Sequence, residues 1–154
     1  MHLTEFVDFE AIKPALSAGN KRSLLQQLAN LAGNRLGLSA SAILETLNER
    51  ETLGSTGFGQ GVAIPHGKVE GLSRIYCLIA RLSEPIRYKA IDGTPVDLVF
   101  LLLSPPDAGA EHLKALAAIS LIIRHAPTLE KMRGARTRDA LAAVLIGADE
   151  RDAA

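Results

Sequence analysis

The sequence predicts a layered α/β domain, in which helices flank apolar strands. Amphipathic segments of helical period lie on both sides of two apolar, β-branched runs, "RIYCLIARL" and "VDLVFLLLS". The second run is apolar almost throughout, the pattern of a strand covered on both faces. Finally, 154 residues with 47% hydrophobic content suit one core, whereas two would each be too small. A single domain over residues 1–154 is the expectation, closing in a short polar tail, "DERDAA".

The first helix is expected after Asn20, a capping residue, with Leu24, Leu25, Leu28, Leu31 and Ala32 along one face and Gly37 as its stop. A second starts at Ser39. Its stripe of Ile43 and Leu47 is extended by Arg50, which aims that cation towards the core side. A glycine-rich loop and the strand-like "GVAIPHG" follow, then the strands Arg74–Leu82 and Val96–Ser104, with "SEP" as a break and Asp92-Gly93 as a turn between them. The prolines of "SPPDAGAEHLKALAAISLIIRHAP" and a cap at Asp107 open a further helix, expected to run to Ala126 before Pro127, with His112, Leu116, Ile119 and Ile123 on one face. "TRDALAAVLIGA" reads as the closing helix.

Seventeen basic and seventeen acidic residues cancel, and no charge run offers a grip on nucleic acid or an anionic membrane, so partners are expected among proteins or small molecules. The start "MHLTEFVDFE" has neither a basic nor an apolar signal region, and no apolar run approaches the roughly 20 residues of a membrane span. A cytoplasmic location is expected. The single cysteine, Cys77, sits in an apolar run and reads as a packing residue.

The chemistry concentrates in "GSTGFGQGVAIPHGK", residues 54–68. Its glycines do not make a P-loop, because five residues rather than four separate Gly61 from Gly67 and Val69 follows Lys68 where Ser or Thr is needed. They do not make a dinucleotide fingerprint either, since the loop precedes its strand and Val62 stands where a glycine belongs. A tight ligand-free turn or a backbone cradle for an oxyanion both remain open. His2 is terminal, and His125 is expected at a helix C-terminus as an exposed cap. His66 differs, because proline fixes one side and glycine leaves the other open. His112, in a first helical turn, is disfavoured as imidazolium by the helix dipole. A neutral imidazole attacks phosphorus, a fixed cation such as Arg50 offsets the phosphoryl charge, and a second donor such as His112 orients it. On the residues alone, a hydrogen-bonded core histidine and a snorkelling surface arginine are the more ordinary readings. Zinc is disfavoured for want of a ligand set, and no metal or cofactor is expected.

"RETLGSTGFGQGVAIPHGK", together with "IDGTPVDLVFLLLSPPDAGAEHLKALAAIS", resembles the IIA components of the bacterial phosphoenolpyruvate-dependent phosphotransferase system, of the mannitol/fructose type and closest to the nitrogen-related regulatory branch. The likeness runs from Leu3 to about Ile146. It implies a mixed sheet with helices on both faces. It also implies a phosphohistidine at His66, charged by a nitrogen-related histidine phosphocarrier protein, with His112 contacting the phosphohistidine and Arg50 stabilising its charge. The site wall is then formed by the loop with Ser55, Thr56, Gly57, Gly59 and Gly61, together with Gly67, and "GVAIPHG" supplies a flat apolar rim for the donor. The alternatives are a sugar-specific IIA passing phosphate to a IIB component, within the same family, and a docking module without phosphotransfer. The chain departs from the family at Ala118, Leu121 and Ile122, where the family is more polar, which bears on the docking partner.

Overall fold

The computed structural model describes residues 1–153. Two short 3-10 turns, Leu3–Glu5 and Phe9–Ala11, lead into strand β1 (Lys13–Leu16) and helices α1 (Lys21–Leu36) and α2 (Ala40–Thr52). Three short strands follow, β2 (Gly57–Gly59), β3 (Val62–Ala63) and β4 (His66–Lys68), and then the long pair β5 (Tyr76–Ile86) and β6 (Val96–Ser104). Helices α3 (Gly109–Ile123), α4 (Ala126–Gly134) and α5 (Arg138–Ala153) close the chain.

The strands form one mixed, six-stranded sheet ordered β1-β5-β6-β3-β2, with β4 also on β6. β6 is antiparallel to β5 and parallel to β3 and β4. Its side chains alternate between two cores. Leu98, Phe100 and Leu102 pack with Ala115, Ile119 and Ile122 of α3 and with α4 and α5, while Val99, Leu101 and Leu103 pack with Leu24, Leu28, Ile43 and Leu47 of α1 and α2. Both faces are covered, which is why this strand carries no polar alternation. The architecture is the expected three-layer α/β sandwich. No helix among the described residues is long and apolar enough to cross a membrane.

Helix starts and stops in the first half follow local chemistry. The Asn20 side chain accepts from the Ser23 amide at 2.8 Å, Ser39 accepts from the Ala42 amide at 3.2 Å, and Gly37 ends α1 in the left-handed conformation at φ 67°.

Elsewhere the sequence expectations need correction. β5 starts at Tyr76 and runs through "SEP" to Ile86, because the pairing with β6 shifts register between Arg81 and Ile86 and leaves Pro85 without a ladder bond to lose. Asp107 is exposed and caps nothing; α3 begins at Gly109 behind Ala108. That helix stops at Ile123 rather than Ala126, and Pro127 does not terminate a helix but opens α4, since a proline in a first turn forfeits no helical bond. His125 therefore sits at the N-terminus of α4, half-buried, its Nδ1 2.7 Å from the Thr128 hydroxyl. The polar segment expected as a tail continues α5 as far as Ala153. Within it Asp149 is buried and accepts from the Leu3 amide at 3.2 Å and the Thr4 amide at 2.6 Å. Cys77 is fully buried, and desolvation raises its thiol pKa, in keeping with packing.

Candidate functional site

Arg50 lies in the last turn of α2, His66 begins β4, and His112 lies in the first turn of α3; the three meet at one end of the sheet. β4 runs beside β6 with His66 opposite Leu102 and Lys68 opposite Ser104. α2 lies close against β4, and Gly67 makes this approach possible, since a Cβ there would meet the Thr46 side chain.

The ring of His66 is held at both nitrogens. Its Nδ1 lies 2.6 Å from the Ile64 carbonyl, which can only accept, so Nδ1 carries the proton and donates. Nε2 is left with its lone pair. The Arg50 Nε donates to Nε2 at 3.3 Å, while the arginine's Nη1 donates to the Gly54 carbonyl at 2.8 Å. The His66 and His112 ring centroids are 5.6 Å apart, with the planes tilted by 45°. The far side of His112 is fixed as well, its Nδ1 2.6 Å from the hydroxyl of the fully buried Ser104.

Burial lowers the pKa of His66, and the Arg50 charge adds to it, against the opposing pull of the Ile64 hydrogen bond and the Glu51 charge. Burial also lowers that of His112, with His66 and Lys68 acting in the same direction. Both shifts favour the neutral ring near pH 7. The arrangement offers an uncharged nucleophilic nitrogen beside a fixed cation, with a second imidazole one ring away.

The glycine-rich segment is a β2–β3 hairpin, with Gly59 at φ 112° and Gly61 at φ 77°. Its residues do not all reach His66. Gly57 is packed on Ala90, Gly59 faces the Asp92 carboxylate, and Gly61 lies against Asp97 and Arg133. Val62 pairs with Leu98 and His66 with Leu102, so Gly61 is roughly 15 Å up the sheet at about 3.3 Å per residue. Ser55 and Thr56 are nearer the site. The Ser55 hydroxyl donates to the Tyr88 carbonyl at 3.1 Å; the buried Thr56 donates its hydroxyl to the Glu51 carboxylate and lies 2.9 Å from the Tyr88 hydroxyl.

Val62, Ala63, Ile64 and Pro65 are buried and form no rim. The exposed apolar side chains next to the site residues in the sequence are instead Leu53, 83% exposed and three residues after Arg50, and Leu113, 67% exposed and next to His112. Of the three apolar departures on α3 only Leu121 reaches the surface, since Ala118 and Ile122 belong to the core.

Sequence reasoning passed over Ser104, Lys68 and the Ile64 and Gly54 carbonyls. Lys68 was visible, two residues from His66 and so on the same face of a strand. Ser104 emerges only from strand register, and the carbonyls leave no mark in a sequence.

Residues 5–147 match the family model described as "Phosphoenolpyruvate-dependent sugar phosphotransferase system, EIIA 2". The chain is 48% identical over 145 residues to a nitrogen regulatory protein of Bradyrhizobium diazoefficiens, covering 94% of this chain and 95% of that one. It is 40% identical over 129 residues to another from Pseudomonas aeruginosa, with 83% and 84% covered. Among solved structures, nitrogen regulatory protein IIA-Ntr from Neisseria meningitidis superposes with a TM-score of 0.86 at 34% identity, covering 92% of this chain and 97% of that one. IIA mannitol of Escherichia coli shares the fold, with a TM-score of 0.71 at 16% identity over 88% and 96% of the two chains. With the family model spanning almost all of the chain, the protein belongs to the EIIA 2 family of the phosphoenolpyruvate-dependent sugar phosphotransferase system.

Proposed function

We propose that His66 accepts a phosphoryl group on Nε2 from the phosphohistidine of a nitrogen-related histidine phosphocarrier protein, and that the charged chain acts as a nitrogen-related regulatory IIA. The hydrogen bond from Nδ1 to Ile64 carries this reading, because it leaves Nε2 as the free nucleophile, facing Arg50. The Nε2 lone pair attacks phosphorus as the donor's N–P bond breaks, and that electron pair returns to the donor imidazole. The proton stays on His66 Nδ1, still donated to the Ile64 carbonyl, so the product ring needs no separate base. Such a transfer depends on alignment and on offsetting charge over the phosphoryl oxygens, more than on acid–base work.

Arg50 supplies that charge. Its bond to Gly54 holds the guanidinium in place while Nε exchanges the ring nitrogen for a phosphoryl oxygen. His112 contributes a donor from Nε2 when Ser104 donates its hydroxyl proton to Nδ1. Lys68, exposed on β4 opposite Ser104, adds a second cation beside the site. Leu53 and Leu113 give the donor protein an apolar rim to sit on. The nitrogen-related assignment is supported by the names of the relatives, which are nitrogen regulatory proteins at 48% and 40% identity.

The deciding experiment is intact mass after incubation with phosphoenolpyruvate, the system's first enzyme and the phosphocarrier. Wild type is expected to gain one acid-labile phosphoryl group and His66→Ala none. Uptake by His66→Ala refutes the site. Rapid onward transfer to the cysteine of a sugar-specific IIB component, measured in the same mixture, favours a permease-coupled role over a regulatory one.

A further inference from the structure

Arg50 and His66 come from different elements, yet the transfer needs the two aligned to within a fraction of an ångström. The residue next to the arginine accounts for this. Glu51 turns inward, its side chain 9% exposed, in a setting where an unpaired carboxylate would be costly. It is not unpaired. Oε1 accepts from the Thr56 hydroxyl and, at 3.0 Å, from the Tyr88 hydroxyl; Oε2 accepts from the Thr56 amide at 3.1 Å and from the Lys21 ammonium at 2.7 Å. Thr56 and Tyr88 are themselves buried, and the Lys21 ammonium lies 4.3 Å from the centre of the Tyr88 ring.

Two chains of bonds run from this carboxylate to the chemistry. The first closes residues 51–56 into a ring, which presents the Gly54 carbonyl to Nη1 of Arg50 at 2.8 Å. The second passes through the Thr56 carbonyl, which accepts from the Ile64 amide at 2.9 Å, to the Ile64 carbonyl, which accepts from Nδ1 of His66 at 2.6 Å. We propose that Glu51 is a positioning residue for phosphotransfer, one buried carboxylate that aligns the cation through Gly54 and fixes the nucleophile's tautomer through Thr56 and Ile64. The proposal rests on the phosphohistidine reading above. Glu51 touches no reacting atom; its effect on rate passes through Arg50 and His66.

The test is a double-mutant comparison on the full chain. Glu51→Gln keeps the volume but sets an NH2 group against donors, and it is made in both the wild-type and Arg50→Ala backgrounds. Phosphorylation of His66 is timed by intact mass. The expected loss is about tenfold or more in the wild-type background, the order that small misplacements of reacting groups cost, and it is smaller where Arg50 has already gone. Equal losses in both backgrounds are what general destabilisation gives, and either that result or no loss at all overturns the proposal. Should Glu51→Gln fail to fold, Tyr88→Phe removes one donor from the same carboxylate and is read by the same comparison. Failure of wild type to be phosphorylated on His66 sinks the phosphocarrier reading separately. The ring 15N shifts of unphosphorylated His66, which need no donor, then decide the positioning role: loss of the Nδ1–H tautomer in the variant supports it, and an unchanged tautomer refutes it.

Discussion

The proposed chemistry turns on one proton, the one that His66 carries on Nδ1 and donates to the Ile64 carbonyl. Because burial lowers the pKa of this ring, Nε2 keeps its lone pair to lower pH than a free histidine does. Phosphorylation is therefore expected to be flat through neutral pH and to fall only below the ordinary histidine range near 6.5, which a pH–rate profile measures. Stability follows the same sign. The unfolded chain binds protons at both histidines before the folded one does, so folding free energy drops as pH falls below about 6.5, and chemical denaturation at several pH values reads the slope. Arg50→Ala is expected to slow transfer by about 10² to 10³, the usual loss when one charge-stabilising donor is deleted, with no change in fold by circular dichroism. Ser104→Ala frees His112 to choose its tautomer; the expected result is a slower transfer and a changed His112 ring-nitrogen spectrum. The three side chains that meet here are legible in the sequence because they are chemical types in telling settings. The partners that orient them are two carbonyls and a strand-end serine, which are fixed by tertiary structure.

At the scale of elements, the site depends on how closely α2 lies on β4. Gly67→Ala places a methyl group against the β-branched Thr46, and overpacking of this kind costs about 1–3 kcal/mol, measurable as a lower denaturation midpoint and accompanied by slower phosphorylation as Arg50 is pushed away. Ser39→Ala removes the α2 cap at a cost of about 1 kcal/mol, with the site chemistry untouched. These two helix starts could be read in advance because a cap is local, a side chain answering an amide three residues on. The second half was harder for the same reason turned round. Ala108 offers no side-chain cap, and Pro127 suits the first turn of a helix as well as it suits the end of one. β1 and the β2–β3 hairpin are too short to show any period, and they exist because β5 and β6 offer them open edges.

At the scale of the molecule, β6 is the common member of every central pairing and supplies side chains to both cores. The unbroken apolar run from Leu98 to Leu103 reads plainly as a buried strand because both of its faces are covered, the polar Asp97 and Ser104 falling at its two ends. What the sequence did not reveal is that His66 pairs with this strand, opposite Leu102, whereas Arg50 is tied to a surface loop. That difference has a dynamic consequence. Amides of β6 and β4 belong among the last to exchange with deuterium, being reached only by global opening, while those of residues 53–55 need only a local fluctuation. The nucleophile is thus mounted on the paired sheet and its counter-charge on α2, steadied by a loop that the Glu51 carboxylate braces, so a local opening of that loop costs the guanidinium its anchor while the imidazole stays in place.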